Sequence, residues 1–339
     1  MENSMLQSWP LAVAFWKAPL RATRWTFSRC LERGVWLGAA LLGFATLAAA
    51  QPAGGPTPTG TPGPASPPPG GYTLPDPYAG HKKVLIVGDV HTGAQMAHDA
   101  ISHAMATLEH LGRETGAYIA FIRTDTQLVT KEDVFGTGDY AKGGSKQAKG
   151  RNLDYFDAVV FYTNGSPVMT DQQKHDLLAF VHDDGKGFVA VHTATATFYD
   201  WPEYGEMVGG YFDNHPWGIF DAPVIVERPD FPGWTQLPHE LVLRDEMYQY
   251  RPPYSRDRVD VLASLDARKL DLTNKNVHRT DRDFPIAWVK NYGKGRVFSS
   301  TLGHTDASWD DPRVQTIYLE GIKWVLHLTD APVRPHPAP

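Results

Sequence analysis

The N-terminal part of the folded sequence alternates short apolar runs with segments in which apolar residues recur at helical spacing. KKVLIVGD (82–89) has the pattern of a buried parallel strand, and residues 94–112 predict a helix that ends at Gly112. Strands alternating with helices predict an α/β fold with a doubly wound parallel sheet. Further strands are predicted at AYIAFIR (117–123), FDAVVFYTN (156–164) and GFVAVH (187–192), with a Thr170-capped helix before the last one.

The C-terminal half has a different pattern, because its apolar runs follow one another with little helix between them. These runs predict additional antiparallel strands, and residues 312–328 predict a final helix that packs on the sheet. VGGYFDNHPWG (208–218) is too broken for a helix and too polar for a core strand, so we expect a loop there. The strand-like runs are APVIVER (222–228), DVLASL (260–265), PIAWVKN (285–291) and GRVFSST (295–301).

The first fifty residues predict a signal for export. Residues 1–34 carry five cations and two carboxylates, and the charge-free run GVWLGAALLGFATLAAA (34–50) follows. This order is typical of a secretory signal peptide over residues 1–50, with an uncleaved anchor as the alternative. A Pro/Gly-rich linker (51–80), a folded domain (81–330) and a tail (331–339) follow, and we expect a periplasmic or extracellular protein.

Charge and cysteine content narrow the possible functions. The chain carries a net charge of −6, and without the basic first fifty residues it would carry −9. An acidic protein is a poor partner for nucleic acid, and contact with a membrane is expected only through an uncleaved signal. The single cysteine, Cys30, lies in the predicted signal, so the mature protein would have neither a disulfide nor a thiolate nucleophile.

Histidines follow several predicted strands, at the edge where open α/β sheets bind ligands. His91, His192 and His304 come directly after strands, and His215 lies in the segment 208–218. Neutral imidazoles of this kind could hold a divalent metal such as zinc, so these four histidines form a predicted metal-binding set. Metal-free acid–base chemistry by His192 and His215 is the alternative, since histidine titrates near neutral pH.

Carboxylates and aromatic residues accompany these histidines. Asp213 and Glu246 are predicted to join His192 and His215 as catalytic residues, or to orient their imidazole rings. Aromatic side chains near the same segments could cover the apolar face of a sugar ring, namely Trp201, Tyr211, Trp217 and Trp309. Histidines on polar helices are predicted to be solvated, namely His98, His103, His110, His175 and His182.

Several motifs resemble those of the ThuA-like (trehalose-utilisation) family, and the resemblance covers residues 82–328. It implies a flavodoxin-like sheet related to class I glutamine amidotransferases, in which a cysteine nucleophile occupies the turn after the strand that matches FVAV. Here that place holds His192, so the scaffold is expected without amidotransferase chemistry. The motifs are GFVAVHTATATFY (187–199), VGGYFDNHPW (208–217), DEMY (245–248) and GKGRVFSSTLGH (293–304).

The resemblance also implies a role in the catabolism of disaccharides or their oxidised derivatives. We expect an isomerase, lyase or hydrolase that acts on a small-molecule carbohydrate by proton transfer and uses no nucleotide cofactor. The alternative is a non-catalytic carbohydrate-binding protein of the cell envelope. Because His192 and His215 are expected to face a cleft, alanine at either position should reduce activity and change stability little.

Overall fold

The computed structural model of the protein describes residues 75–89 and 98–339. The predicted signal segment, residues 51–74 of the predicted linker and His91 lie outside the described residues. Among the helices of the described residues, none has the length and apolar character needed to cross a membrane.

The N-terminal half forms parallel strands, and two of the three connections between them contain an α-helix, as the alternating pattern predicts. The start of the second helix is confirmed by a capping box, in which Thr170 and Gln173 each accept a hydrogen bond from the other's backbone N–H. The elements in chain order are β1 (Lys83–Val87), α1 (Ile101–Thr115), β2 (Ile119–Arg123), β3 (Ala158–Phe161), α2 (Asp171–His182) and β4 (Gly187–Val191).

The predicted end of α1 at Gly112 is wrong by three residues. The helix continues to Thr115 and is terminated by Gly116, whose φ of 65° lies in the left-handed region that favours glycine. Gly112 has a packing role instead, because a Cβ atom at this position would lie 2.3 Å from the ring of Tyr118.

The C-terminal half supplies the predicted antiparallel strands. Residues 208–218 are not all loop, because Tyr211–Asn214 pair with another short strand in a separate two-stranded sheet. The elements are α3 (Pro202–Val208), β5 (Tyr211–Asn214), β6 (Ile219–Val226), β7 (Glu240–Glu246), β8 (Gln249–Arg251), β9 (Asp260–Leu265), β10 (Pro285–Tyr292), β11 (Gly295–Ser300), α4 (Asp306–Asp310) and α5 (Pro312–Val325).

The main sheet has nine strands in the order β2-β1-β3-β4-β11-β10-β9-β6-β7. The first five are mutually parallel, and the remaining pairs are antiparallel. This topology confirms the α/β, flavodoxin-like fold with additional antiparallel strands. The carboxyl ends of β1, β3, β4 and β11 lie along one edge of the sheet, where a ligand site is expected.

Both faces of the parallel strands are covered. In β1, Val84 and Ile86 belong to one apolar cluster, whereas Leu85 and Val87 belong to the cluster on the other face. All four side chains are fully buried, which explains why the strand is a continuous apolar run rather than an alternating one. The rigid sheet therefore fixes the positions from which the residues after each strand project.

Candidate active site

Four side chains from separate segments meet beyond the carboxyl ends of the parallel strands. His192 follows β4, His304 follows β11, Glu246 ends β7 and His98 precedes α1. Each can offer one nitrogen or oxygen, and these four atoms all lie within 4.8 Å of one another. The structure thus brings together three residues that the sequence predicted, His192, His304 and Glu246, and adds His98. We call these four residues the His–Glu cluster.

His192 occupies a sharp turn directly after β4. Its φ is 47°, a left-handed conformation that costs a residue with a Cβ atom roughly 1–2 kcal/mol. The turn continues as a 3₁₀ segment, His192–Ala196, and directs the imidazole into the interior, where it is completely buried. Strain of this kind persists only where surrounding contacts hold it, and it is common at functional sites.

Hydrogen bonding fixes the tautomer of His192. Its Nδ1 lies 2.5 Å from the carbonyl oxygen of Thr301, which can only accept, so Nδ1 carries the proton. The lone pair of a neutral ring is therefore on Nε2, and the hydroxyl of Tyr248 donates to this atom over 2.6 Å. Nε2 also lies 3.1 Å from Nδ1 of His304, so the side of the ring that carries the lone pair faces both Tyr248 and the His–Glu cluster.

Glu246 contacts three imidazoles through its two carboxylate oxygens. Oε2 lies 3.6 Å from Nε2 of His192 and 3.2 Å from Nδ1 of His304, whereas Oε1 lies 3.4 Å from Nδ1 of His215. Burial opposes the charged form of Glu246, but its interactions with His192 and His304 outweigh this effect and hold its pKa well below the usual range. The hydrogen bond to Glu246 in turn raises the pKa of His304.

The prediction that His98 is solvated is wrong. Its ring centroid lies 4.9 Å from that of His192 and 4.7 Å from that of His304. Burial, followed by the charges of these two histidines, lowers the pKa of His98 to about 3, so the ring is neutral. Its Nδ1 atom is buried and has no hydrogen-bond partner within the described part of the chain. The side chains of the other four helix histidines are 39–76 % exposed.

His215 lies at the solvent side of the cluster. Its side chain is 49 % exposed and stacks on Phe212 at a centroid distance of 5.8 Å. Asp213 does not join the His–Glu cluster, because its carboxylate binds Nδ1 of His278 at 2.7 Å. Since His278 is also half exposed, the two histidines form a polar rim beside the buried cluster.

The predicted sugar-binding aromatics differ in their exposure. Trp309 is fully buried, Trp201 is 8 % exposed and Tyr211 is 6 % exposed. Trp309 stacks on Tyr318, and its indole N–H donates to the carbonyl of Gly303, so it supports the loop before His304. Trp217 is partly buried and packs edge-to-face on Phe284. We therefore place Phe212, rather than these four, next to the exposed histidine.

Sequence reasoning missed His98, Tyr248 and His278. Two of these had a signal: helices that follow parallel strands begin at the ligand-binding edge, and His98 lies three residues before the start of α1. Tyr248 lies two residues after Glu246, just beyond the end of β7. His278 had no such signal, because it lies in a long connection between β9 and β10 whose path only the fold determines.

A family model described as ThuA, trehalose utilisation, matches residues 83–325, which is more than half of the chain. No curated protein is significantly similar in sequence to the chain.

Two crystal structures of ThuA-like proteins share the fold. The protein from Bacteroides uniformis is 24 % identical, with 74 % of this chain and 95 % of that chain covered and a TM-score of 0.55. The protein from Parabacteroides merdae is 19 % identical, with 73 % and 90 % covered and a TM-score of 0.51.

Proposed function

The chain belongs to the ThuA, trehalose-utilisation, family, and we propose that it is an enzyme that acts on a carbohydrate by proton transfer at the His–Glu cluster. One observation carries the proposal: the buried carboxylate of Glu246 is shared by three imidazoles, those of His192, His304 and His215. A charged carboxylate among imidazoles at a ligand-binding edge is typical of a catalytic site. The family description supports a sugar as the substrate.

His215 is the base in this proposal. It is half exposed and can therefore reach a substrate that stays outside the core, while Oε1 of Glu246 lies 3.4 Å from its Nδ1. When His215 takes a proton, the carboxylate stabilises the resulting imidazolium. On the buried side of the cluster, His304, whose pKa Glu246 raises, is the group that can donate to negative charge developing on a substrate oxygen.

A ketone on an oxidised sugar suits these groups, because it acidifies the neighbouring C–H bond. His215 removes that proton, and the electron pair moves onto the carbonyl oxygen. Return of the proton to another position gives isomerisation, and loss of a leaving group from the next carbon gives elimination. Neither outcome needs a covalent nucleophile, which agrees with the presence of His192 where a cysteine nucleophile would stand in an amidotransferase.

Solvent-deuterium exchange tests the proposal. The full chain is incubated in D₂O with a disaccharide that carries a ring ketone, and NMR follows the C–H bond next to the carbonyl. We expect exchange or product formation that His215→Ala slows about 100-fold or more and that His110→Ala, at an exposed histidine of α1, leaves unchanged. The unoxidised disaccharide is the substrate control. If the sugar binds but wild type causes neither exchange nor conversion, the proposal is wrong and the protein is a carbohydrate-binding protein.

We also propose that the protein is exported. The support is the order of residues 1–50, in which basic residues precede a charge-free apolar run and small residues before Gln51.

A further inference from the structure

We propose that His98, His192, His304 and Glu246 form a binding site for a divalent transition metal ion, with zinc as the best fit. By accepting a substrate oxygen as a fifth ligand, the ion would supply an electrophile, and this catalytic meaning rests on the proposed function. The binding site itself is argued from the geometry of the four side chains, and it can be tested without a substrate.

Three donor atoms have the spacing that a tetrahedral ion requires. Nε2 of His192, Nδ1 of His304 and Oε2 of Glu246 form a triangle with sides of 3.1, 3.2 and 3.6 Å. Zinc binds nitrogen and oxygen at about 2.0–2.1 Å, which at the tetrahedral angle separates two ligands by roughly 3.3–3.4 Å. The triangle matches this separation, so an ion fits slightly out of its plane with little movement of the side chains.

His98 completes the set. Its buried Nδ1 has no hydrogen-bond partner among the described residues, although an unpaired buried nitrogen costs about 1–3 kcal/mol. Its ring packs edge-on against both His192 and His304, on the same side of the sheet edge. His98 offers one of the four donor atoms that lie within 4.8 Å of one another, so a metal ion there would give this ring a partner.

The donor set favours zinc over magnesium or calcium. Three imidazoles and one carboxylate suit a transition metal, whereas magnesium and calcium prefer oxygen ligands. Thr301 supports the site from outside, because its carbonyl holds the Nδ1 proton of His192 and so puts the lone pair on Nε2, where the ion would replace the hydroxyl of Tyr248. This arrangement is the usual one for a metal-binding histidine.

The geometry favours His98 over His215 as a ligand of the proposed ion. His215 contacts Oε1 of Glu246, on the other side of the carboxylate from the Oε2 atom that faces His192 and His304. His215 therefore lies outside the ligand set, contrary to the set expected from the sequence. These two histidines make a matched pair for mutagenesis, because both lie beside the same carboxylate.

The experiment measures zinc binding to the full chain after chelator treatment. Isothermal titration with ZnCl₂ should give about one zinc per chain. His98→Ala and His304→Ala should weaken zinc binding by about 100-fold or more, since the loss of even an outer-sphere partner costs about 10–100-fold. His215→Ala removes only an outer-sphere contact of Glu246 and should weaken binding by no more than about 10-fold, whereas the surface variant His278→Ala should bind as wild type does. With CoCl₂ instead, wild type should show the visible absorption bands of four-coordinate cobalt.

Circular dichroism identifies variants that do not fold. If a histidine variant does not fold, zinc binding is measured on Glu246→Gln instead. The site is disproved if folded wild type binds no zinc, or if the cluster variants bind it as tightly as wild type. If His215→Ala loses zinc as fully as His98→Ala does, the ligand set is wrong. A chain that binds zinc but does not act on oxidised sugars would disprove the proposed function and leave the metal site in place.

Discussion

The buried carboxylate of Asp245 accepts a hydrogen bond from the backbone N–H of His304, with 3.2 Å between Oδ1 and the nitrogen. Its Oδ2 accepts two more, from the backbone N–H of Gly303 and from the hydroxyl of Ser308, both at 2.6 Å. Asp245 directly precedes Glu246 at the end of β7. It therefore fastens the loop that carries His304 to the strand that carries Glu246, and it helps to set the distance between these two side chains.

Asp245→Asn should weaken the site without removing any of its ligands. An amide has only one accepting oxygen, so some of the buried donors around residue 245 lose their partner, at a cost of about 1–3 kcal/mol in unfolding free energy. The zinc affinity of the folded variant should also fall, by about 10–100-fold. Denaturant unfolding and zinc titration measure the two effects.

Asp221→Asn is the control for Asp245→Asn, since Asp221 is exposed and pairs with Arg244 on the neighbouring strand. If Asp245→Asn lowers stability but leaves zinc affinity equal to that of the control, Asp245 is a structural residue only.

The fold could be predicted from the sequence because its signals are local. β1 is a short apolar run buried on both faces, and α2 has its own capping residues, so each is recognisable without its neighbours. The end of α1 and the existence of β5, which the sequence predicted as loop, were less predictable, because they depend on contacts made elsewhere. In the sequence, Gly112 resembles a residue that ends a helix, whereas in the structure it makes room for the ring of Tyr118.

The site was predictable where residues directly follow strands, as His192 and His304 do. Whether His98 belongs to the His–Glu cluster depends on the path of the chain before α1. The burial of Trp309 depends on its packing against Tyr318 in α5. Neither relationship is encoded in local spacing. The sequence therefore indicates the edge of the sheet at which the site lies, and the fold selects which of the nearby side chains belong to it.

His192→Ala and His215→Ala should differ in their effect on the free energy of unfolding, although both histidines belong to the proposed active site. His215→Ala should change unfolding free energy by no more than about 0.5 kcal/mol, since the ring is half exposed. His192→Ala should cost about 2–4 kcal/mol, because the buried ring bonds to both Thr301 and Tyr248. The sequence-based expectation of little change therefore does not hold for His192. Equal unfolding free energies for the two variants would contradict this prediction.

Asp176 should make stability depend on acid pH. Burial disfavours its charged form, but hydrogen bonds from the Lys131 backbone, Gln172 and Thr130 outweigh this effect and lower its pKa below the usual 3.8. A lowered pKa adds stability above about pH 4 that is lost as pH falls through the folded-state value. Asp176→Asn should therefore unfold more easily than wild type at pH 6, and the difference should shrink towards pH 3. A difference that stays constant over this range would disprove the linkage.

The mature protein should begin near Gln51. Residues 34–50 are free of charge and end in small residues, after a basic segment, which is the order that a signal peptidase recognises. Mass spectrometry of protein from the exported fraction of the native host measures the N-terminus. Recovery of the protein only from the cytoplasm, with residues 1–50 attached, would rule out export.

Tyr248→Phe should make zinc more stabilising than it is in wild type. In the metal-free protein the Tyr248 hydroxyl donates to Nε2 of His192, the same lone pair that the ion would use. Removing the hydroxyl leaves this buried nitrogen unpaired, so the free energy of unfolding of the metal-free variant should be about 1–2 kcal/mol lower. Each kcal/mol corresponds to a fall of roughly 2–4 °C in melting temperature. Zinc satisfies the nitrogen in both proteins but breaks a hydrogen bond only in wild type. The zinc-induced rise in melting temperature should therefore be larger for Tyr248→Phe, and an equal or smaller rise would show that Nε2 of His192 does not bind the ion.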